Sequence, residues 1–273
     1  MSAVAVPTPG ALPRRRPARL AQFRDLAMRA IRSTARGGDA LILPIVFPLI
    51  ILAINVKALH AILGVPGFPT KNVTSFAIAL TFLQGALFSG IACASRMAAD
   101  IESGFIKRIA LAPVSMLTVL DARLAGVALA GAVEAVFFIA AARVGGAHVA
   151  AGVGGVIALI ALSILFNMAF AGVGILLAVR TRSGEAVQSL FPIFFVFVML
   201  SSALMPLSLI DVTWFRDVAE ANPATYMLDA VRSLFIGDGD LGELALGAGV
   251  AAAVLLLTSA LSLKGMRRMV VTP

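Results

Sequence analysis

Four charged residues stand close together between two long apolar stretches of the sequence: Asp100, Glu102, Lys107 and Arg108. Because 60% of the chain is hydrophobic and only 13% is charged, this segment is expected to face water. Its carboxylate, ammonium and guanidinium groups can form salt bridges and hydrogen bonds with another surface. The single cysteine, Cys93, lies inside an apolar run, so the sequence shows neither a disulfide framework nor metal-ligand spacing. We interpret residues 100–115 as a docking segment, with a simple hydrophilic turn as the alternative.

Two further candidate groups lie later in the chain. Asp229 and Arg232 are three residues apart, so they share one face of a helix and can pair where water is scarce. This pair is expected to hold a hairpin together, and direct contact with a substrate is the alternative. Glu134 stands midway along an apolar run, where an ionised carboxylate costs at least ~2.5 kcal/mol. It is expected to be protonated, paired or exposed to a wet cavity, which makes it a candidate functional residue.

The elements that carry these residues are long apolar helices. The mean hydropathy is +1.00, far above that of a soluble globular chain, and about 20 apolar residues suffice for a helix to cross a bilayer. We predict an all-α integral membrane protein with six transmembrane helices, and short helices in the outer interface between the fifth and sixth spans. No soluble catalytic domain fits this layout. The expected spans are residues 40–59, 73–94, 116–142, 149–179, 186–207 and 241–263.

The N-terminal part of the chain has a different composition from the rest. Residues 1–18 are rich in proline and alanine and are expected to form a disordered cytosolic tail. Residues 19–36 carry apolar side chains at three- and four-residue spacing among five arginines, which predicts an amphipathic helix on the membrane surface. A cytosolic extension of the first span is the alternative for this segment, and a signal sequence is the alternative for the basic N terminus. Residues 37–273 form the predicted six-span domain.

The positions of the basic residues predict the orientation of the chain. The formal net charge is +8, and 17 of the 22 lysines and arginines lie in the N-terminal segment, the 100–115 loop with its flanks, the 180–185 loop and the C-terminal tail. Because basic residues accumulate on the cytoplasmic side, both termini and the docking segment are expected in the cytoplasm. The charge follows from membrane topology, so we expect no binding of nucleic acid.

The docking segment is expected to form a short helix. Glu102 lies near the predicted start of this helix, and Lys107 and Arg108 lie further along it. The helix dipole favours acidic residues near the start and basic residues near the end. Pro113 is expected to end the helix before the third span.

The order of these residues resembles a loop in permease subunits of ABC exporters of the drug-resistance and polysaccharide-export type, with the pattern E-x-G-x-x-x-R-x-x-x-x-P-V-S. The resemblance implies a cytosolic coupling helix that sits in a groove of the ATP-hydrolysing subunit. It assigns coupling to Glu102, Gly104, Lys107, Arg108 and Pro113.

A second stretch strengthens this resemblance. After the fifth predicted span, residues 222–232 are similar to the family's C-terminal signature N-P-x-T-Y-x-x-D-x-x-R, as it is found in daunorubicin-resistance-type permeases. The resemblance implies re-entrant helices that form a gate at the outer leaflet. The residues that it places there are Asn222, Pro223, Tyr226, Asp229 and Arg232.

Together these features predict a permease subunit of an ABC exporter in a bacterial cytoplasmic membrane. The sequence contains no G-x-x-x-x-G-K-[ST] motif, so a separate P-loop ATPase is expected to bind ATP and magnesium, with no cofactor or metal on this chain. A second permease, identical or related, is expected because six spans are half the usual number. The expected cargo is amphipathic or lipid-like, and Glu134 is a candidate for the translocation path. A polysaccharide exporter and an ion-gradient-driven transporter are the alternatives.

Overall fold

The computed structural model describes residue 28 and residues 39–58, 68–111, 114–237 and 239–271, and these ranges contain helices but no strand. Ten α-helices are numbered here in chain order, and a 3₁₀ turn at Leu207–Leu209 precedes α8. The helices are α1 Asp39–Ala58, α2 Val73–Glu102, α3 Phe105–Ala110, α4 Met116–Val144, α5 Gly152–Thr181, α6 Gly184–Ser189, α7 Phe191–Met199, α8 Thr213–Ala221, α9 Pro223–Ile236 and α10 Leu241–Val271. The predicted tail over 1–18 and the predicted helix over 19–36 lie outside the described residues, apart from Met28.

Four of the helices, α2, α4, α5 and α10, are long and apolar enough to cross a membrane. They correspond to the second, third, fourth and sixth predicted spans, so the chain is a multi-pass helical membrane protein. The first predicted span is α1, whose apolar part, Ile42–Ala58, is shorter. This helix continues through Pro44 and Pro48. The full count of six spans remains a prediction.

The fifth predicted span differs from the single helix expected over residues 186–207. It is divided into α6 and α7 at Leu190, and α7 already ends at Met199. Pro192 lies in the first turn of α7, where its missing N–H leaves no intrahelical hydrogen bond unmade. The sixteen residues from Gly184 to Met199 rise about 24 Å as a helix, which is less than the apolar thickness of a bilayer.

Helix α2 lies at the centre of the fold and packs against α1, α4, α5 and α9. It is buried along most of its length, because small and hydroxylated side chains let neighbouring helices approach closely. The contact with α5 shows this most clearly. A Cβ atom added at Gly174 would lie 2.8 Å from the backbone oxygen of Gly90 and 2.8 Å from Cβ of Ala94. Any larger side chain at Gly174 would therefore force the two helices apart.

The loops of the bundle gather at two ends. At the first, here called the basic end, Ile106 of α3, Val187 of α6 and Met266 of α10 share one buried cluster. The second, here called the hairpin end, holds α8, α9 and the α4–α5 connection, where the Ala150 amide donates to the Leu234 carbonyl at 3.0 Å. At both ends, the segments that carry candidate residues therefore pack with parts of the chain that are distant in sequence.

Candidate functional site

At the basic end the docking segment begins with a sharp turn. Helix α2 ends at Glu102, so Glu102 does not start the short helix as the sequence suggested. Gly104 precedes α3 with φ at 70°, a left-handed conformation that glycine adopts without strain. Among the described residues, apart from the two that flank it, none has an atom within 4 Å of the position that a Cβ on Gly104 would occupy. The backbone angle, rather than a close approach within this chain, is the structural reason for a glycine here.

The short helix α3 has one buried face and one charged, exposed face. Ile106 is buried against the ends of neighbouring helices, which fixes α3 to the bundle. Lys107 and Arg108 are exposed on the other side, and Leu111 immediately after the helix is 90% exposed. The helix therefore presents two cations and an apolar side chain outward. Pro113 lies outside the described residues.

The two carboxylates of this segment bind to other parts of the same chain. Asp100 forms a salt bridge with Arg123 of α4, with 2.5 Å between Oδ2 and Nη2. Glu102 Oε1 accepts a hydrogen bond of 2.8 Å from the backbone N–H of Gly184, the first residue of α6. The docking segment is thus attached both to α4 and to the α5–α6 turn. The sequence offered no signal for Gly184 as the partner of Glu102, since 82 residues separate the two.

At the hairpin end, the signature residues close the open end of α7. A helix that ends at Met199 leaves its last carbonyl groups without intrahelical donors. The Asn222 side chain donates through Nδ2 to the carbonyls of Phe197 at 2.8 Å and Leu200 at 3.1 Å. Its Oδ1 accepts the Ala224 N–H at 2.9 Å, so the same side chain also caps α9. Pro223 occupies the first turn of α9, where its missing N–H breaks no intrahelical hydrogen bond.

Arg232 of α9 binds the backbone just beyond the end of α7. Its Nη2 donates to the carbonyls of Ser202 at 2.7 Å and Ala203 at 3.0 Å, and its Nη1 donates to Ser202 Oγ at 2.9 Å. The guanidinium also lies over the ring of Phe76 in α2, 3.8 Å from the ring centroid. Burial lowers the pKa of Arg232 to about 10 and Asp229 opposes this shift, so the group is still a cation at neutral pH. Sequence reasoning missed Ser202, whose only signal was a run of small residues.

Asp229 and Arg232 form the ion pair that their spacing predicted. The distance from Arg232 Nη1 to Asp229 Oδ1 is 3.1 Å, and the Asp229 side chain is 35% exposed against 8% for Arg232. The exposed carboxylate adds little stability by itself, because solvent screens it. Tyr226, another signature residue, donates from its hydroxyl to the Glu220 carbonyl at 2.7 Å and so joins α9 to α8.

A cavity of about 480 Å³ opens beside this ion pair at the hairpin end. Its wall combines apolar side chains with charged ones, so it could surround a molecule that has both kinds of surface. The residues that line it are Pro69, Phe76, Pro206, Leu207, Ser208, Asp229, Arg232, Ser233, Ile236, Gly237, Asp240 and Glu243.

Glu134 lies between three helices in the interior of the bundle. It has no exposed surface, and its two carboxyl oxygens accept hydrogen bonds from Ser89 of α2 and, at 3.1 Å, from Asn167 of α5. Asn167 also donates to the Ser163 carbonyl at 3.0 Å. The sequence allowed Glu134 to be protonated, paired or exposed to a wet cavity. Among the described residues, its carboxyl group is paired by hydrogen bonds with Ser89 and Asn167. Glu134 does not line the cavity at the hairpin end.

The structure thus brings the candidate residues together in three separate places: the docking segment, the hairpin and the interior cluster. A comparison with protein families finds one match, to the family described as ABC-2 type transporter, over residues 21–236. The matched region includes α3 and the whole of α9. No curated protein matches the chain.

Proposed function

The chain belongs to the ABC-2 type transporter family, and from this premise we propose that it moves an amphipathic or lipid-like molecule out of the cytoplasm, powered by a separate ATPase subunit. Membership in the family makes the chain the permease component of an ABC transporter, a transmembrane part that carries no catalytic role. The family also implies association with an ATPase subunit. Direction, substrate class and site residues belong to the proposal.

The observation that best supports ATPase coupling is the placement of α3. This helix is attached to the bundle and presents charged side chains at the basic end. Helix α3 is anchored by buried Ile106, while Lys107, Arg108 and Leu111 point outward. Two cations around an apolar side chain suit a groove that is acidic at its rim and apolar at its base. In this proposal Glu102, Gly104, Lys107, Arg108 and Pro113 form the coupling segment, on the cytoplasmic side together with both termini.

The hairpin is proposed as the outer gate. Helix α7 ends before it can cross the bilayer, and α8 and α9 occupy the space beyond it. Asn222 donates to the carbonyls of Phe197 and Leu200 at the end of α7, and Arg232 donates to those of Ser202 and Ala203 just beyond it. Displacing the hairpin would leave these carbonyls unpaired. A gate of this kind stays shut until the ATPase supplies energy. Asn222, Pro223, Tyr226, Asp229 and Arg232 hold it in place.

The cargo class is supported by the cavity beside Arg232. Phe76, Leu207 and Ile236 supply apolar wall, while Asp229 and Glu243 supply charge. An amphipathic molecule leaving at the outer leaflet would find a partner there for both of its parts.

A second permease is also part of the proposal, because α1 exposes a row of apolar side chains that lipid or a second copy would cover. These are Ile42, Leu43, Val46, Ile50 and Ile54.

The proposal is tested by transport into inside-out vesicles. The full-length chain is expressed with a tagged N terminus, and any P-loop ATPase that co-purifies with it is reconstituted at the same stoichiometry. Two probes are used: daunorubicin, after which the resembling permeases are named, and a short-chain fluorescent phospholipid. We expect ATP-dependent uptake of at least one probe that requires both proteins.

The control is the same vesicle with the ATPase omitted. Uptake that is independent of ATP but follows an imposed proton or sodium gradient would contradict the proposal in favour of a secondary transporter. Uptake of neither probe together with export of a polysaccharide would contradict the proposed cargo and leave the ATPase coupling standing.

A further inference from the structure

We infer that Glu102 is a positioning residue that connects the coupling helix to the broken fifth span, and that it acts as a hydrogen-bond acceptor rather than as a charge presented to the ATPase. This inference rests on the proposed docking of an ATPase at α3. The family resemblance would place Glu102 in the coupling contact, whereas its carboxylate accepts the Gly184 N–H at 2.8 Å.

The geometry joins two turns that the sequence keeps far apart. Glu102 is the last residue of α2, two positions before the turn into α3 at Gly104. Gly184 is the first residue of α6, which packs against α2 and buries Val187 in the same cluster as Ile106. A movement of α3 can therefore reach α6 through the Glu102 hydrogen bond and through the apolar cluster that both helices enter.

From α6 the path continues to the hairpin. Only Leu190 separates α6 from α7, and the end of α7 is bound by the side chain of Asn222. Arg232 binds the two carbonyls that follow at Ser202 and Ala203. The Glu102 latch, defined here as the hydrogen bond from the Gly184 N–H to Glu102 Oε1, is thus the first link between the basic end and the hairpin end. Without it, α3 could move while α6 stays in place.

The two possible roles of Glu102 make different demands on its side chain. A latch needs an acceptor oxygen, which glutamine retains, whereas an ionic contact with an ATPase needs a negative charge, which glutamine lacks. Glu102→Gln should therefore behave like the wild type, and Glu102→Ala should not.

The donor side of the latch offers an equally selective change. Gly184→Pro deletes the N–H, and proline is favoured at the first position of a helix. Ser183 has φ −137° and ψ 128°, the extended conformation that a following proline requires. Gly184→Ala is the matched control, because it keeps the N–H and its Cβ would meet nothing closer than Glu102 Oε1 at 3.9 Å.

The experiment uses hydrogen exchange on the full-length chain in lipid nanodiscs, with two readouts. The first, taken without partner or nucleotide, is exchange in residues 184–199. We expect Glu102→Ala to speed it roughly fivefold, with Glu102→Gln and Gly184→Ala close to the wild type. The second, on the complex with the co-purified ATPase, is the change in exchange of residues 213–236 when ATP and vanadate are added. We expect Glu102→Ala and Gly184→Pro each to lose this change. The variant that combines Glu102→Ala with Gly184→Pro should lose no more of it than either substitution alone, because both remove the same hydrogen bond.

Equal behaviour of Glu102→Gln and Glu102→Ala in both readouts would overturn the latch. If both variants lose the vanadate response, Glu102 returns to an ionic role; if both behave like the wild type, the side chain has neither role. A full vanadate response in Gly184→Pro would overturn it as well. If no ATPase co-purifies with the wild type, or vanadate leaves the wild-type hairpin unchanged, the proposed function fails. The first readout still decides whether the latch exists in that case.

Discussion

Replacement of Arg232 by glutamine is expected to destabilise the hairpin end strongly. The guanidinium donates four hydrogen bonds: two to the carbonyls of Ser202 and Ala203, one to Ser202 Oγ and one to Asp229. Ser202 and Ala203 are only 1% and 2% exposed, so bulk water has little access to their carbonyls. Glutamine is shorter and carries one amide donor group, so at least one backbone carbonyl is expected to lose its partner.

The magnitude follows from those contacts. A buried carbonyl left without a donor costs about 1–3 kcal/mol. Loss of the guanidinium from the face of Phe76 adds about 1 kcal/mol. The lost ion pair adds under about 1 kcal/mol, because the Asp229 side chain is 35% exposed. The total is about 3 kcal/mol, or roughly 6–12 °C in the melting temperature of a chain of this size.

The assay is thermal unfolding of the purified chain in nanodiscs, followed by tryptophan fluorescence. Trp214 is the only tryptophan and lies on α8, so the signal reports on the hairpin end directly. Arg143→Gln is the matched control, because Arg143 is an exposed arginine at the same end of the bundle. Its substitution should change the stability by less than about 0.5 kcal/mol.

Two outcomes would refute this reasoning. If Arg232→Gln unfolds at the same temperature as Arg143→Gln, the carbonyls of Ser202 and Ala203 do not depend on Arg232. If Arg232→Gln and Asp229→Asn both leave protein level and export unchanged, the proposed outer gate fails as well.

Three further predictions concern the other sites. Glu134→Ala should lower the unfolding free energy by about 2 kcal/mol, because the buried Ser89 hydroxyl loses its carboxylate acceptor and Asn167 keeps only the Ser163 carbonyl. Glu134→Gln should cost under half of that. Equal melting temperatures for both variants would contradict the hydrogen-bonded cluster. Arg108→Glu should reduce co-purification of the ATPase while the chain still inserts into membranes, and an unchanged yield of ATPase in a pull-down would return α3 to the role of a simple turn. Gly104→Ala should destabilise the chain by roughly 1 kcal/mol, because the φ of 70° at Gly104 is unfavourable for a residue with a Cβ. Gly104→Asn should be closer to the wild type. Equal melting temperatures for the two variants would show that the turn relaxes.

Much of the architecture could be predicted from the sequence because the bilayer constrains helices so strongly. Backbone groups in hydrocarbon must be paired within the segment, so apolar length translates directly into helix length. The predicted starts of the second, third and sixth spans coincide with the observed helix starts, and every other predicted end of the second, third, fourth and sixth spans lies within eight residues of the observed one. The fifth span was wrong as a single helix over 186–207, because hydropathy does not register the end of α7 at Met199. The carbonyls of Phe197 and Leu200 at that end accept hydrogen bonds from Asn222, which comes from a later part of the chain.

The hydrogen-bond partner of Glu102 could not be predicted from the local sequence pattern. Its spacing to Gly104 and Arg108 suggested the start of a short helix, since a carboxylate favours the first turn. Instead it ends α2, and its oxygen accepts an amide hydrogen from Gly184. A backbone N–H has no residue type, so no spacing in the sequence can reveal it as a partner.

The sequence by itself determined membrane residence, the family, the charged docking segment and the pairing of Asp229 with Arg232. Each depends on composition, on a short motif or on the spacing of residues within one or two turns of a helix, and all of these can be seen directly in the sequence. Only the tertiary structure decided that Arg232 binds the backbone just beyond α7, that Glu134 binds Ser89 and Asn167, and that Glu102 holds α6. These contacts join different helices, and they depend on how far each helix is rotated and shifted against its neighbour. Close approaches such as Gly90 to Gly174 set those offsets, and they are properties of the packed bundle.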